Sequence, residues 1–233
     1  NGAGKTTVFD LVSGFLVPTS GTVRFQGRDV TSLGAASRGN LGLGRSFQDA
    51  RIFSSMTVAE NIAVALERHL EVRDHLAAAL CLPDVLEVER HIAWTVADLV
   101  ELLNLGDHRD RLVRELSTGT RRIADLAMAL AYDPTVLLLD EPGSGISQKE
   151  AEALAPLLLR IRDEAGCAML VIEHDMPMIR AVSDRLLALE LGAVIASGDP
   201  DDVLSDPRVV AGYLGSDEAT IHRSGRRLAG APA

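Results

Sequence analysis

The sequence predicts an α/β fold in which a parallel sheet is interrupted by a helical insert. Short, continuous apolar runs stand at 136–139 (VLLL) and 168–172 (AMLVI). Such runs mark strands buried on both faces of a parallel sheet. Residues 57–132 carry helical apolar periodicity instead. The opening NGAGKTTVFDLVSG reads as a glycine-rich turn entering a helix. Strand and helix alternating on both sides of a helical block give a layered sheet with an insert.

The elements follow in order. Val8, Leu11 and Val12 repeat at helical spacing, and Gly14 stops that helix. Residues 21–30 (GTVRFQGRDV) alternate like a strand pair turning near Gly27. Thr57 and Glu60 form a capping-box pattern ahead of NIAVAL. Val96, Leu99, Val100 and Leu103 give one helix its apolar face; Ile123, Leu126, Ala127 and Leu130 give another. Ser147 and Glu150 suggest a second capping box. Its helix buries Leu154, Leu157, Leu158 and Ile161, with a kink expected at Pro156. RLLALE and AVIAS, around Gly192, read as a closing hairpin.

Composition narrows the function. The chain has 233 residues, 47% of them hydrophobic but only 3% aromatic, so an aliphatic core is available. A net charge of -10 argues against a protein that grips nucleic acid. It is compatible with binding a nucleotide, because a phosphate cradle is built mostly of backbone N–H groups. Cys81 and Cys167 lie far apart and outside any CxxC pattern, as expected of reduced core thiols. No apolar run approaches the roughly 18 residues that span a bilayer.

Five short motifs carry chemistry. Asn1, Gly2, Ala3, Gly4, Lys5, Thr6 and Thr7 match the end of a phosphate-binding P-loop. The glycines let the backbone aim N–H groups at phosphates, Lys5 adds charge near the β- and γ-phosphates, and the Thr6 hydroxyl suits Mg²⁺. In VLLLDEP, Asp140 ends a strand at the sheet's carboxyl edge, where open α/β sheets bind ligands. It is suited to hold Mg²⁺ through water, while Glu141 can polarise the water that attacks the γ-phosphate. Asp-Glu-Pro can equally open an ordinary loop. In LSTGTRR, Ser117 and Gly119 at a helix start can bind an anion, although a serine there is also a common N-cap. His174 follows the run 168–172 and can reach a γ-phosphate; the other five histidines lie in helical or polar contexts. Gln48, in RSFQ, offers a neutral amide to Mg²⁺ or to the attacking water.

The order and spacing of these motifs resemble those of the ATP-binding cassette (ABC) ATPases: P-loop, Q-loop glutamine, signature, Walker B with its glutamate, and switch histidine. Within that family RSFQDARIFSSMTVAENI, VIEHDM and SGDPDDVLSDPRVVAGYLG look most like the ATPase subunits of branched-chain amino-acid importers. Close relatives act in lipopolysaccharide export. The resemblance implies a P-loop NTPase (RecA-like) core with an inserted α-helical subdomain. The core would comprise residues of about 1–55 and 132–215, the helical subdomain about 56–131, and a disordered tail 216–233.

It further implies ATP and Mg²⁺ as cofactors, and Glu141, His174 and Gln48 as catalytic residues. Thr6, Gln48 and Asp140 would serve the metal. A second cassette, identical or paralogous, would complete the nucleotide site with Ser117 and Gly119. Membrane permease subunits, possibly fused upstream, and an extracytoplasmic solute-binding protein would be the other partners, with the cassette on the cytoplasmic face of the membrane and no nucleic acid involved. An ABC ATPase for another solute, or a soluble one outside transport, is the alternative.

Thr118 and Thr120 depart from the family's LSGGQ signature, and Ser147 stands where the family has Asp. The sequence begins inside the P-loop, without the loop's first glycine, the preceding strands or the adenine-stacking aromatic. The expectation is a fragment of a longer polypeptide that binds ATP poorly when alone.

Overall fold

A computed structural model describes residues 2–46, 52–67, 83–146 and 148–212. It divides into two compact units, Asn1–Val8 with Met176–Ala233, and Phe9–Asp175.

The larger unit is built on a parallel sheet of three strands, β3 (Leu43–Ser46), β4 (Val136–Asp140) and β5 (Ala168–Ile172), in the order β3-β4-β5. An antiparallel pair, β1 (Arg24–Phe25) and β2 (Arg28–Asp29), precedes it. The turn between them uses Gln26 and Gly27, both at positive φ. This is the hairpin the sequence predicts near Gly27.

Strand β4 is the buried one. Leu138 joins Phe9, Phe25, Val30, Leu43 and Ile172 in a core cluster on one face. Leu137 and Leu139 point to the opposite face by strand alternation and are also buried. β5 departs from expectation. Its side chains are not buried on both faces, and Leu170 is 42% exposed. Among the described residues β5 is an edge strand, hydrogen-bonded only to β4. An apolar run alone does not distinguish a central strand from an edge.

Helix α1 (Lys5–Ser13) ends as predicted at Gly14, whose φ of +82° lets the chain turn back. The amides of Phe15 and Leu16 then donate to the Asp10 carbonyl. Arg38, on α2 (Ala35–Asn40), is only 1% exposed. Its guanidinium donates to the carbonyls of Leu11, Val12, Thr31 and Leu33. A cation at the last turn of α1 also meets the negative end of the helix dipole.

The helical block contains α3 (Val58–Leu66), α4 (Pro83–Leu102) and α5 (Thr118–Leu130), with short 3-10 turns between the last two. The capping box forms: the Thr57 hydroxyl accepts from the Glu60 amide and the Glu60 carboxylate accepts from the Thr57 amide. The fully buried Asn61 pins the preceding loop by exchanging hydrogen bonds with the Phe53 backbone. Helix α6 (Gln148–Ala165) carries Pro156 inside it and buries Leu154, Leu157, Leu158 and Ile161 as its spacing predicts. Cys167 is a free, buried thiol. Ser147, Cys81 and the tail 216–233 lie outside the described residues.

The smaller unit contains α7 (Met176–Val182), the antiparallel hairpin β6 (Leu186–Glu190) and β7 (Ala193–Gly198), and α8 (Pro200–Ser205). Leu191 and Gly192 link the strands with φ of 49° and 82°, the two left-handed residues of a tight hairpin turn. No helix among the described residues is long and apolar enough to cross a membrane.

Replacing Arg38 by Met is expected to destabilise the protein by about 3 kcal/mol, because four part-buried carbonyls lose their donor. Urea denaturation measures this; a loss within experimental error would show that water satisfies those carbonyls.

Candidate active site

In the smaller unit the glycine-rich segment turns into α1. Gly2 and Gly4 have φ of +83° and +90°, a region side-chain-bearing residues rarely adopt. The Val8 amide donates to the Gly4 carbonyl at 3.0 Å, closing the first helical turn. Amides at the start of a helix have no intrahelical acceptor and suit an anion. The hydroxyl-bearing Thr6 and Thr7 are exposed. The Gly192 amide, at the hairpin turn, donates to the Ala3 carbonyl at 3.0 Å. A Cβ at Gly4 would meet the Gly192 backbone at ordinary contact distance, so it is the φ of Gly4 that calls for glycine. Asn1 lies outside the described residues.

In the larger unit the carboxyl ends of the strands carry the acids. Parallel pairing sets Arg45 beside Leu138, and Asp140 lies two residues further along the same face. Arg45 is therefore drawn between two carboxylates, 2.6 Å from Asp10 and 3.6 Å from Asp140. It also donates to the Ser13 hydroxyl, and its guanidinium lies 5.7 Å and 5.6 Å from the ring centres of Phe9 and Phe15. Burial pushes the Asp140 carboxyl above the ordinary range, and the Arg45 charge opposes that rise.

Glu141 follows at a φ of 49°. Its amide donates to the Ile172 carbonyl at 2.9 Å, extending the β4–β5 ladder by one bond. Its carboxylate oxygen lies 2.7 Å from Nε2 of His174. Two further bonds fix the neighbouring backbone: one Glu173 oxygen accepts from the Gly143 amide, and the other from the His174 amide. Arg122 reaches across from α5 and donates to the carbonyls of Glu141 and Pro142, at 2.6 Å and 3.0 Å. The structure thus brings Asp140, Glu141 and His174 to one sheet edge. Gln48 lies outside the described residues.

Ser117 is the N-cap of α5, accepting from the Thr120 amide. Its hydroxyl donates to the Glu150 carboxylate at 2.8 Å. Gly119 packs so tightly on Glu150 that a Cβ there would collide with the carboxylate. Thr118 is the first helical residue, a backbone that a β-branched side chain tolerates, and the Thr120 hydroxyl lies 2.9 Å from that of Ser117. The glutamate that the sequence assigned to a capping box therefore also reaches the signature serine.

The donors suit Mg²⁺ rather than a softer metal. In the larger unit Asp140 offers hard oxygen atoms, the type Mg²⁺ prefers. No group of three or more His, Cys, Asp or Glu among the described residues could hold a metal. When bound, such an ion supplies positive charge to the phosphates.

A parallel sheet with an acid pair and a histidine at its carboxyl edge in one unit, and a glycine-rich turn opening a helix in the other, each suit a nucleotide-hydrolysing protein. Comparison with known proteins agrees. Residues 1–144 match the ABC transporter family model, and residues 193–219 match that of the branched-chain amino acid ATP-binding cassette transporters. The chain is 36% identical over 215 residues to the high-affinity branched-chain amino acid transport ATP-binding protein BraF of Pseudomonas aeruginosa, covering 92% of this chain and 84% of BraF. It is 33% identical to LivG of Escherichia coli, of the same description, over 92% of this chain and 84% of LivG. The crystal structure of the ADP conformation of MJ1267, an ATP-binding cassette of an ABC transporter, superposes with a TM-score of 0.73 at 27% identity, covering 92% of this chain and 85% of that one. The chain belongs to the ABC transporter family and is an ATP-binding, ATP-hydrolysing cassette.

Arg45, Arg122 and Glu150 are the side chains sequence reasoning did not assign to the site. Arg45 stands in the RSFQ motif and Arg122 in LSTGTRR, but only the fold shows what each touches.

Arg45→Met should leave the Asp10 and Asp140 carboxylates without their shared cation. The folded-state pKa of Asp140 is already raised, so the folded chain holds that proton more tightly than the unfolded chain. Its ionised form therefore costs stability above the folded pKa, and protonation relieves the cost as pH falls. The stability deficit of Arg45→Met is expected to be largest near neutral pH and to shrink toward about pH 4. Urea unfolding at the two pH values measures it; a deficit independent of pH would mean that Arg45 acts through packing alone.

Proposed function

We propose that this cassette powers an importer for branched-chain or related amino acids, using Mg²⁺-ATP. The observation that carries the hydrolytic reading is the 2.7 Å contact between Glu141 and His174, with the buried Asp140 next in sequence. The matched family model over residues 193–219 and the descriptions of BraF and LivG support the substrate class.

Each residue has a role in this reading. The amides of residues 1–7 and the Lys5 ammonium hold the phosphates. Thr6, Gln48 and Asp140 hold Mg²⁺. Glu141 accepts a proton from the attacking water as it approaches the γ-phosphorus. His174 donates to the Glu141 carboxylate through Nε2–H and so holds it toward the attacking water. Charge neutralisation and alignment supply most of the rate enhancement in such transfers. Ser117 and Gly119 face the nucleotide of a second cassette, and the Glu150 contact at Ser117 is exchanged for phosphate when the two close. The core occupies about 1–55 and 132–215, and the helical subdomain about 56–131. Permease subunits and a solute-binding protein complete the assembly, with the cassette on the cytoplasmic face of the membrane.

In the assembled transporter, Glu141→Gln is expected to retain ATP binding and to lower turnover by roughly a hundredfold or more. A fluorescent ATP analogue and phosphate release measure the two quantities; wild-type turnover would remove Glu141 from catalysis. Wild-type turnover should also rise when a solute-binding protein presents a branched-chain amino acid. No rise with any of them would remove the substrate class and leave the ATPase.

A further inference from the structure

Glu141 occupies a backbone conformation that needs support. Its φ of 49° lies in the left-handed region, which is disfavoured for residues with a side chain. The peptide is held from two directions. On one side the Glu141 amide is tied to the Ile172 carbonyl at the end of β5. On the other, the Arg122 guanidinium donates to the Glu141 and Pro142 carbonyls. The direction of the Glu141 side chain, and hence its 2.7 Å contact with His174, depends on this backbone.

The neighbouring arginine provides a contrast. Arg121 donates to the Val113 and Arg114 carbonyls, tying α5 to the 3-10 turn before it. Adjacent cations on one helix thus serve different ends. Arg121 anchors the helix to the chain that leads into it, and Arg122 reaches the loop after β4.

We propose that Arg122 is a positioning residue for hydrolysis: it clamps the main chain at Glu141 and Pro142, fixes the left-handed turn, and keeps the Glu141 carboxylate on His174. The helix that carries it starts at Ser117, so a shift of the Ser117 end is passed through Arg122 to the hydrolytic carboxylate. Arg122 itself touches no reacting atom. The inference rests on the proposed role of Glu141 and extends it to a residue on a different element.

The test uses the assembled transporter. Arg122→Met is expected to lower kcat by roughly ten- to a hundredfold, with KM for ATP within about twofold, because misplacement of a catalytic group costs rate rather than binding. In the Glu141→Gln background the same substitution should change the residual rate by less than about twofold, since the group it positions is already disabled. Arg122→Lys, whose ammonium can still donate to carbonyls, should recover most of kcat. Arg121→Met serves as the control: it should lower the melting temperature while leaving kcat within about twofold. Equal losses in both Glu141 backgrounds, or a loss seen only in KM, would overturn the proposal. If Arg122→Met fails to fold, Arg122→Gln, polar but too short to reach the Glu141 and Pro142 carbonyls, decides by the same comparison in the two backgrounds. A wild-type transporter that does not hydrolyse ATP would count against the proposed function; an active wild type indifferent to Arg122 substitution would count against this inference alone.

Discussion

The register of the parallel sheet is the constraint on which the site depends. β3, β4 and β5 pair so that Ser46 stands beside Leu139, and Asp140 beside Ile172. Parallel strands have their carboxyl ends at the same edge, so residues far apart in sequence arrive together there. Asp140 ends one strand and His174 follows the next within two residues. A slip of one residue in β4 would turn Asp140 to the opposite face and bury an unpaired acid. The cost of burying that acid opposes the slip, since the leucine run 137–139 offers the same side chain to either face.

Charge and packing are joined at the same place. The chain sets Arg45 between two acids and against two phenyl rings, which restrains a guanidinium whose side chain is 9% exposed. Arg38 does comparable work at the end of α1, where it donates to four backbone carbonyls. Both cations lie in the larger unit and secure the part of α1 that follows Phe9. Buried cations are tolerated there because the Arg38 guanidinium meets backbone carbonyls and the Arg45 charge faces two carboxylates.

Much of this was legible in the sequence. The P-loop ending, the two apolar runs, the Thr57–Glu60 capping box and the Gly14 stop each have a local cause, and local causes can be read from a short window. The edge position of β5 could not be read, because exposure depends on which strand pairs with which. The Arg122 clamp was invisible for a similar reason. It joins residues separated by most of α5 and all of β4, and a second arginine beside it has the same local signature but different acceptors. Glu150 looked like the end of a capping box, yet its carboxylate also meets Ser117. Contacts of that kind follow from tertiary packing, which spacing along the chain does not encode.

The central claim is that Glu141 and His174 act as one hydrolytic unit. A double-mutant cycle on ATP turnover by the assembled transporter tests it most directly, using Glu141→Gln, His174→Ala and the pair. Residues acting as a unit are strongly non-additive. The account predicts that the double variant is about as slow as the slower single variant. Losses that multiply would contradict it and would mean that the two side chains, although in contact, contribute separately.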